Sequence, residues 1–352
     1  MFCRRFLPAA ATLAALLSAA GARAQQTAAP DNTARPHAAQ PESTETLSQP
    51  NGTPRSPQPG LPEVKFSNFT SCPIAEIQIY VPELAHLEPA QDQSQLNTLL
   101  DRIGAKAIEI ANRTPNLVSR EIVVSQNGQT KTKQRFSYLV LQHRFRSDAV
   151  IFDEYRVDVA TGEKFETEFG KMEAASEPPG QSPNLTSLPI PSQIPSVSNA
   201  PMSKGFVGAW LYFYPSNRRL LDFRYLGREK MHHSQTLVFS FAQKRGNHFS
   251  GVMVEFEGKN YPVFVQGVAW VDADFRIVRL ETDLLSLPAA LPLHQLISDI
   301  EFALFPIAEV PAPLWLPREV KVAAILGGVN LHEDHTYSDY RLFRTRSKLV
   351  LK

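Results

Sequence analysis

Between Ser94 and Ala111 the apolar residues Leu96, Leu99, Leu100, Ile103, Ala107 and Ile110 recur at the spacing of one helical face. Asp101, Arg102, Lys106 and Glu109 fall mostly on the other side, so the segment predicts an amphipathic helix. Asp92 and Gln95, three apart, have the spacing of a capping box ahead of it, and Pro115 ends the pattern. Strand-like runs follow at 117–124, 136–141 and 150–159. The first two flank the polar turn Gln126-Asn127-Gly128-Gln129, and Asn-Gly between two such runs is a hairpin signal.

Further runs at 220–226, 236–241, 249–256 and 261–271 are rich in aromatic and β-branched residues, with turn signals about every ten residues. Two more hairpins are expected, one around Asp272-Ala273-Asp274 and one around Gly327-Gly328. Phe206, Trp210 and Phe213 would share one side of a short helical insert that Pro215 stops. Strands do not alternate with long helices, so a doubly wound parallel sheet is not expected. The expected fold class is α+β: a curved antiparallel sheet, a half-open barrel, wrapped on one or two helices.

Two stretches break the pattern. Residues 25–62 are dense in Gln, Ala, Thr, Ser and Pro with almost no large apolar side chains, the composition of a disordered tether. A Pro/Ser-rich stretch at about 174–200 reads as an extended loop, because Pro at that density bars helix and central strand. The chain thus divides into residues 1–24, a tether at 25–62, and one domain at 63–352 interrupted by that loop.

The first 24 residues read as a secretory signal peptide. Arg4 and Arg5 supply the positive start, an Ala/Leu-rich run follows from Phe6, and Ala22-Arg23-Ala24 gives the small-x-small cleavage pattern. The run is shorter than the roughly 20 apolar residues of a permanent span. The expectation is an exported protein, periplasmic or extracellular, with no transmembrane span after cleavage. Losing Arg4, Arg5 and Arg23 takes the 36 basic residues to 33 against 35 acidic ones, a net charge of −2. That balance offers no footprint for nucleic acid and no polybasic surface for a membrane. Of the two cysteines, Cys3 leaves with the signal, so Cys72 has no intramolecular partner and the core must hold the fold.

Three segments carry a family resemblance: the strand Gln266-Gly267-Val268-Ala269-Trp270-Val271-Asp272, its return through Ile277–Leu280, and Pro313-Leu314-Trp315-Leu316-Pro317 opening a later strand. They resemble the outer-membrane lipoprotein carrier superfamily, periplasmic proteins whose half-open barrel is plugged by helices. The helix at 96–110 fits in order, and the resemblance spans residues 94–343. It implies a fold and a hydrophobic cavity, without naming a cargo.

Candidate chemistry is sparse. His332-Glu333-Asp334-His335 holds metal-ligand types, but the zincin pattern needs two histidines four apart. Three apart in a strand, His332 and His335 face opposite sides, and a solvated polar turn is the plain reading. The adjacent His232 and His233 point apart in the same way. Asp153-Glu154 and the pair Asp272/Asp274 read as solvated strand or turn positions, and neither Gly-x-Ser-x-Gly nor a phosphate loop occurs. The aromatics give the positive signal. Phe239, Phe241, Phe249, Phe256, Phe264 and Trp270 lie on consecutive strands and, on one side of a curved sheet, would line a concave apolar surface. Phe239, Phe241, Phe256, Phe264 and Trp270, with Trp210 and Phe213 from the insert, form the expected ligand-facing set.

The leading reading is a non-catalytic exported binding protein that needs no cofactor or metal. It would hold a lipid, lipoprotein-like acyl chain or apolar peptide in the sheet, with 206–214 as a helical lid. The second reading is a cell-envelope interaction module with a filled core and a protein partner. The third is a metal-dependent hydrolase using His332 and His335.

Overall fold

The computed structural model describes residues 63–144, 150–165, 193–194, 203, 205–231, 234–244, 252–256 and 259–344. The expected signal peptide, tether and most of the Pro/Ser-rich loop, with Phe249, His232 and His233, lie outside these residues.

Strand β1 (Glu63–Lys65), helix α1 (Ile74–Tyr80) and strand β2 (Glu88–Pro89) precede the long helix α2 (Leu96–Arg113). Then come β3 (Leu117–Asn127), β4 (Thr130–Arg144), β5 (Val150–Asp158), β6 (Lys164–Phe165) and β7 (Gln193–Ile194). The C-terminal half is a meander of β8 (Leu221–Met231), β9 (Ser234–Gln243), β10 (Val252–Phe256), β11 (Lys259–Val271), β12 (Ile277–Pro288), β13 (Leu293–Phe305), β14 (Leu314–Leu326) and β15 (Val329–Leu342).

These strands form one open antiparallel sheet in the order β2-β8-β9-β11-β12-β13-β14-β15-β3-β4-β5-β6. Strand β1 adds to β12, and β10 joins β11 to β7, the last pair parallel. The two halves of the chain meet where β15 pairs with β3, Glu333 opposite Ser125 and His335 opposite Val123. The Asn-Gly turn closes β3 onto β4 with Gly128 at φ 57°, the left-handed conformation that glycine adopts without a Cβ penalty. In β14 the Pro317 nitrogen has no hydrogen to donate, and the ladder to β13 slips there between Glu301 and Phe302.

Each face of the sheet carries its own helical cover. On the inner face α2 contributes Leu100, Ile103, Ala107 and Ala111 to the main core, as its periodicity predicts. The capping box does not form: Gln95 precedes the helix without a side-chain cap, and the Asp92 carboxylate instead accepts from the Ser94 amide and hydroxyl at 2.8 and 2.5 Å. On the outer face Phe69, α1 and a 3-10 turn at Pro82–His86 pack Phe69, Ile77 and Leu84 on Val238, Val268 and Trp270. Gln266 ties this outer strap down, accepting from the Phe69 amide at 2.8 Å and donating to the Ser67 carbonyl at 2.7 Å. Cys72 is half-buried beside it, and burial raises its thiol pKa. Among the described residues no helix is long and apolar enough to cross a membrane.

Candidate functional site

The inner face of the sheet is occupied by the chain itself. Residues Phe206–Tyr214 form a plug with a 3-10 turn at Ala209–Phe213, tighter than the α-helix the sequence suggests, and every one of its side chains is buried. Trp210 is 2% exposed and Phe213 0%. Phe213 lies 5.2 Å from Phe223, 5.8 Å from Phe241 and 6.4 Å from Phe239, ring centre to ring centre. Tyr212 stands 4.8 Å from Phe241, and Trp210 meets Phe152 edge-on at 5.7 Å. Such pairs add about 0.5–1.5 kcal/mol each beyond their buried area. Beside the plug, a groove of about 570 Å³ opens between α2 and the start of β8, where the charged Asp101, Arg218, Arg219 and Asp222 line it together with Leu96 and Phe223.

The expected ligand-facing set splits between the two faces. Phe239 stands opposite Ala269 and Phe241 opposite Gly267, so both point inward with Trp210 and Phe213. Gly267 makes room for this packing, because a Cβ there would meet the Phe241 ring at 2.8 Å. Phe256 is half-buried against the same core. Trp270 is opposite Val238 and belongs to the outer cluster, and Phe264, six residues earlier on β11, shares its parity. The set therefore does not line one concave surface, because strand alternation sends Phe264 and Trp270 outward.

Next to the plug lies a buried polar cluster that reading by motif does not reveal. Strand β3 supplies Glu121, β5 supplies Glu154 and Arg156, and β15 supplies Glu333, His335 and Tyr337. Each sits on a core-facing position of its strand, and all are buried. Arg156 Nε and Nη2 donate to Glu121 at 2.5 and 2.7 Å, a bidentate pair. His335 bridges two carboxylates, Nδ1 to Glu121 Oε1 at 2.9 Å and Nε2 to Glu333 Oε2 at 3.2 Å. The Tyr337 hydroxyl donates to Glu121 Oε1 at 2.8 Å.

Burial pushes the Glu121 carboxyl up, but Arg156 and His335 more than offset it and bring its pKa down to about 2. Burial disfavours the His335 imidazolium, yet hydrogen bonds to Glu121 and Glu333 raise its pKa above the ordinary value. Glu154 moves up through burial, despite two amides that donate to it.

This cluster grips the root of the plug. The Ser203 hydroxyl donates to Glu333 Oε2 at 2.8 Å and lies 3.1 Å from His335 Nε2. The Ser203 carbonyl accepts from Arg156 Nη1 at 2.7 Å. The Gly205 and Val207 amides donate to the two oxygens of Glu154 at 2.6 and 3.0 Å, and the Phe206 ring stands edge-on to His335 at 5.2 Å. Ser203, His335 and Glu121 fall in the order of a nucleophile, base and orienting acid. A second carboxylate sets this arrangement apart: the imidazole lies between Glu121 and Glu333, which favour its protonated form, and the Ser203 hydroxyl donates to Glu333.

Two sequence expectations are corrected here. The segment 332–335 is not a solvated turn but part of β15, with Glu333 and His335 inside and His332 and Asp334 half-exposed and 3.1 Å apart. His332 and His335 face opposite sides, as their spacing requires. Asp153 and Glu154 are 3% and 2% exposed rather than solvated, because β5 is covered on both faces. By contrast, the Asp272 carboxylate organises its expected turn, accepting from the Asp274 and Arg276 amides at 2.9 Å each.

Neither a family model nor a curated protein matches the chain. Among solved structures it is similar to a DUF1329 family protein from Desulfovibrio piger, at TM-score 0.38 and 10% identity over 71% of this chain and 94% of that one. It is also similar to a LolA superfamily protein from Nitrosomonas europaea, at TM-score 0.34 and 12% identity over 72% and 97%. A third similar structure is the lipoprotein LppX from Mycobacterium tuberculosis, at TM-score 0.26 and 8% identity over 69% and 95%.

Proposed function

We propose that this chain is an exported, non-catalytic binding protein that holds an apolar ligand, a lipid, acyl chain or apolar peptide, against the inner face of its curved sheet. One observation carries the reading: beside α2, that face is covered by a nine-residue aromatic plug that pairs with no strand of the sheet. A short 3-10 segment whose backbone hydrogen bonds run Ala209 to Phe206, Leu211 to Gly208 and Tyr214 to Leu211 can leave without breaking a β-ladder. Its departure would expose Phe239, Phe241 and Tyr225 as an apolar wall, with the groove at Phe223 as the way in. The signal-like start of the sequence supports export.

A second reading, an envelope module with a permanently filled core, is favoured by the complete burial of Trp210 and Phe213. Native mass spectrometry of the protein purified from the exported fraction separates the two. A bound lipid or acyl mass is expected, reduced by Phe223→Gln at the rim and retained by Trp270→Phe on the outer face. A clean apo mass that persists after incubation with membrane lipids would rule out the binding reading and leave the filled module.

A further inference from the structure

The plug is held differently at its two ends. After Tyr214 it is tied within its own segment, where the Asn217 side-chain amide donates to the Leu211 carbonyl at 2.9 Å, an ordinary neutral bond. At the root, Ser203, Gly205 and Val207 are gripped by Glu154 and Arg156 of β5 and Glu333 of β15, and Glu121 of β3 holds Arg156 in turn. We infer that this cluster is a latch, and that Gly205–Tyr214 is an intramolecular occupant of the ligand face which the latch holds in place or releases as a unit. The inference rests on the binding role proposed above, but it concerns how that face is kept closed.

The physical argument is cooperativity. An ion taken out of water costs several kcal/mol unless its partners are all in place, so a buried cluster tolerates no half-made state. Lifting the root removes the Ser203 hydroxyl from Glu333, the Ser203 carbonyl from Arg156 and two amides from Glu154 together. The opening admits water, which solvates the freed groups at once. The plug is then docked or released, with little in between, as a two-state element requires. Neutral packing alone would let it loosen residue by residue. Glu121, Arg156, His335 and Tyr337 bond to one another and stay on the sheet, so release leaves the strands joined.

Hydrogen exchange read by mass spectrometry on the whole protein tests this. With Glu154→Gln, which keeps the size of the side chain, exchange in peptides covering 205–214 is expected to rise at least tenfold, while β9 and β13–β14 keep their protection. Binding of the apolar dye 1-anilinonaphthalene-8-sulfonate should rise in parallel. Ser203→Ala removes only a hydroxyl and serves if Glu154→Gln does not fold. No change at 205–214, or a rise there matched by the strands, would overturn the latch. A local rise in exchange with no gain in dye binding would keep the latch and count against the binding role.

Discussion

Arg156 and Arg279 each sit among carboxylates, one on the inner face of the sheet and one on the outer face, and their surroundings differ in balance. On the inner face Arg156 and His335 both bond to Glu121, His335 also meets Glu333, and the Glu121 pKa falls to about 2. On the outer face Arg279 serves Asp299 at 2.7 Å, Glu83 at 3.0 Å and Glu281 at 3.5 Å, lying 4.8 Å above the Trp270 ring. Burial, with the charges of Glu83 and Asp299, pushes the Glu281 pKa up to about 8. The inner cluster anchors a segment, with Glu154 as a further buried carboxyl that bonds the Gly205 and Val207 amides. The outer one crowds carboxyl groups around one guanidinium, and the raised pKa favours the neutral form of Glu281 at neutral pH.

The largest expected effect follows from that contrast. Arg156→Met strands Glu121 in the interior and should cost about 3–5 kcal/mol in urea unfolding, as breaking a buried pair does. Arg279→Met leaves carboxylates closer to water and should cost about 1–3 kcal/mol. A larger loss from Arg279→Met than from Arg156→Met would break the comparison.

A smaller effect is set by pH. Glu281 has a folded pKa raised above its unfolded value, so its contribution is fully present below the unfolded pKa of about 4.5. That stability is lost as pH rises through about 8. His335, also raised, adds loss above its ordinary value in the same direction. Glu121 works in the opposite sense: its depressed pKa gives stability that is present above the unfolded value and lost as pH falls toward about 2. Urea midpoints from pH 2 to 9 should therefore peak on the mildly acidic side. Glu281→Gln should flatten the alkaline slope and leave the acid limb unchanged, and an unflattened slope would remove Glu281 from the account. The smallest effect is the control on α2: Lys106→Ala deletes an exposed pair with Glu109 and should not move the midpoint measurably.

Local patterns in the sequence predict the elements built from local rules. Leu100, Ile103 and Ala107 announce α2, and Asn127-Gly128 announces the β3–β4 hairpin. Strand β13 is harder to read, because Leu293, Leu296, Ile297 and Ile300 follow one another at helix-like intervals of three and four. Its ladder to β14 slips between Leu293 and Gln295. The polar cluster escapes because its members are drawn from three distant strands, and nothing local marks them as partners. One signal was present. Glu121 shares parity with Leu117 and Val123, and Glu333 and His335 share parity with Leu331 and Tyr337, so each charge falls on the apolar face of its strand. Trp270 and Phe264 part from Phe239 and Phe241 for the opposite reason: a count of aromatics suggests one wall, and counting ignores which way alternate residues point.

The joint between β3 and β15 has a consequence for how the chain reaches this state. Ser125 donates to Glu333, 208 positions further along the chain, and the whole β3–β5 region attaches to the rest of the sheet through that seam. A polypeptide emerging amino end first presents β3 long before its partner exists, and loop-closure entropy must be met before the seam rewards it. Folding therefore waits for the last strand. Until β15 pairs, β3 has an unsatisfied strand edge, the kind of edge that invites pairing with another chain.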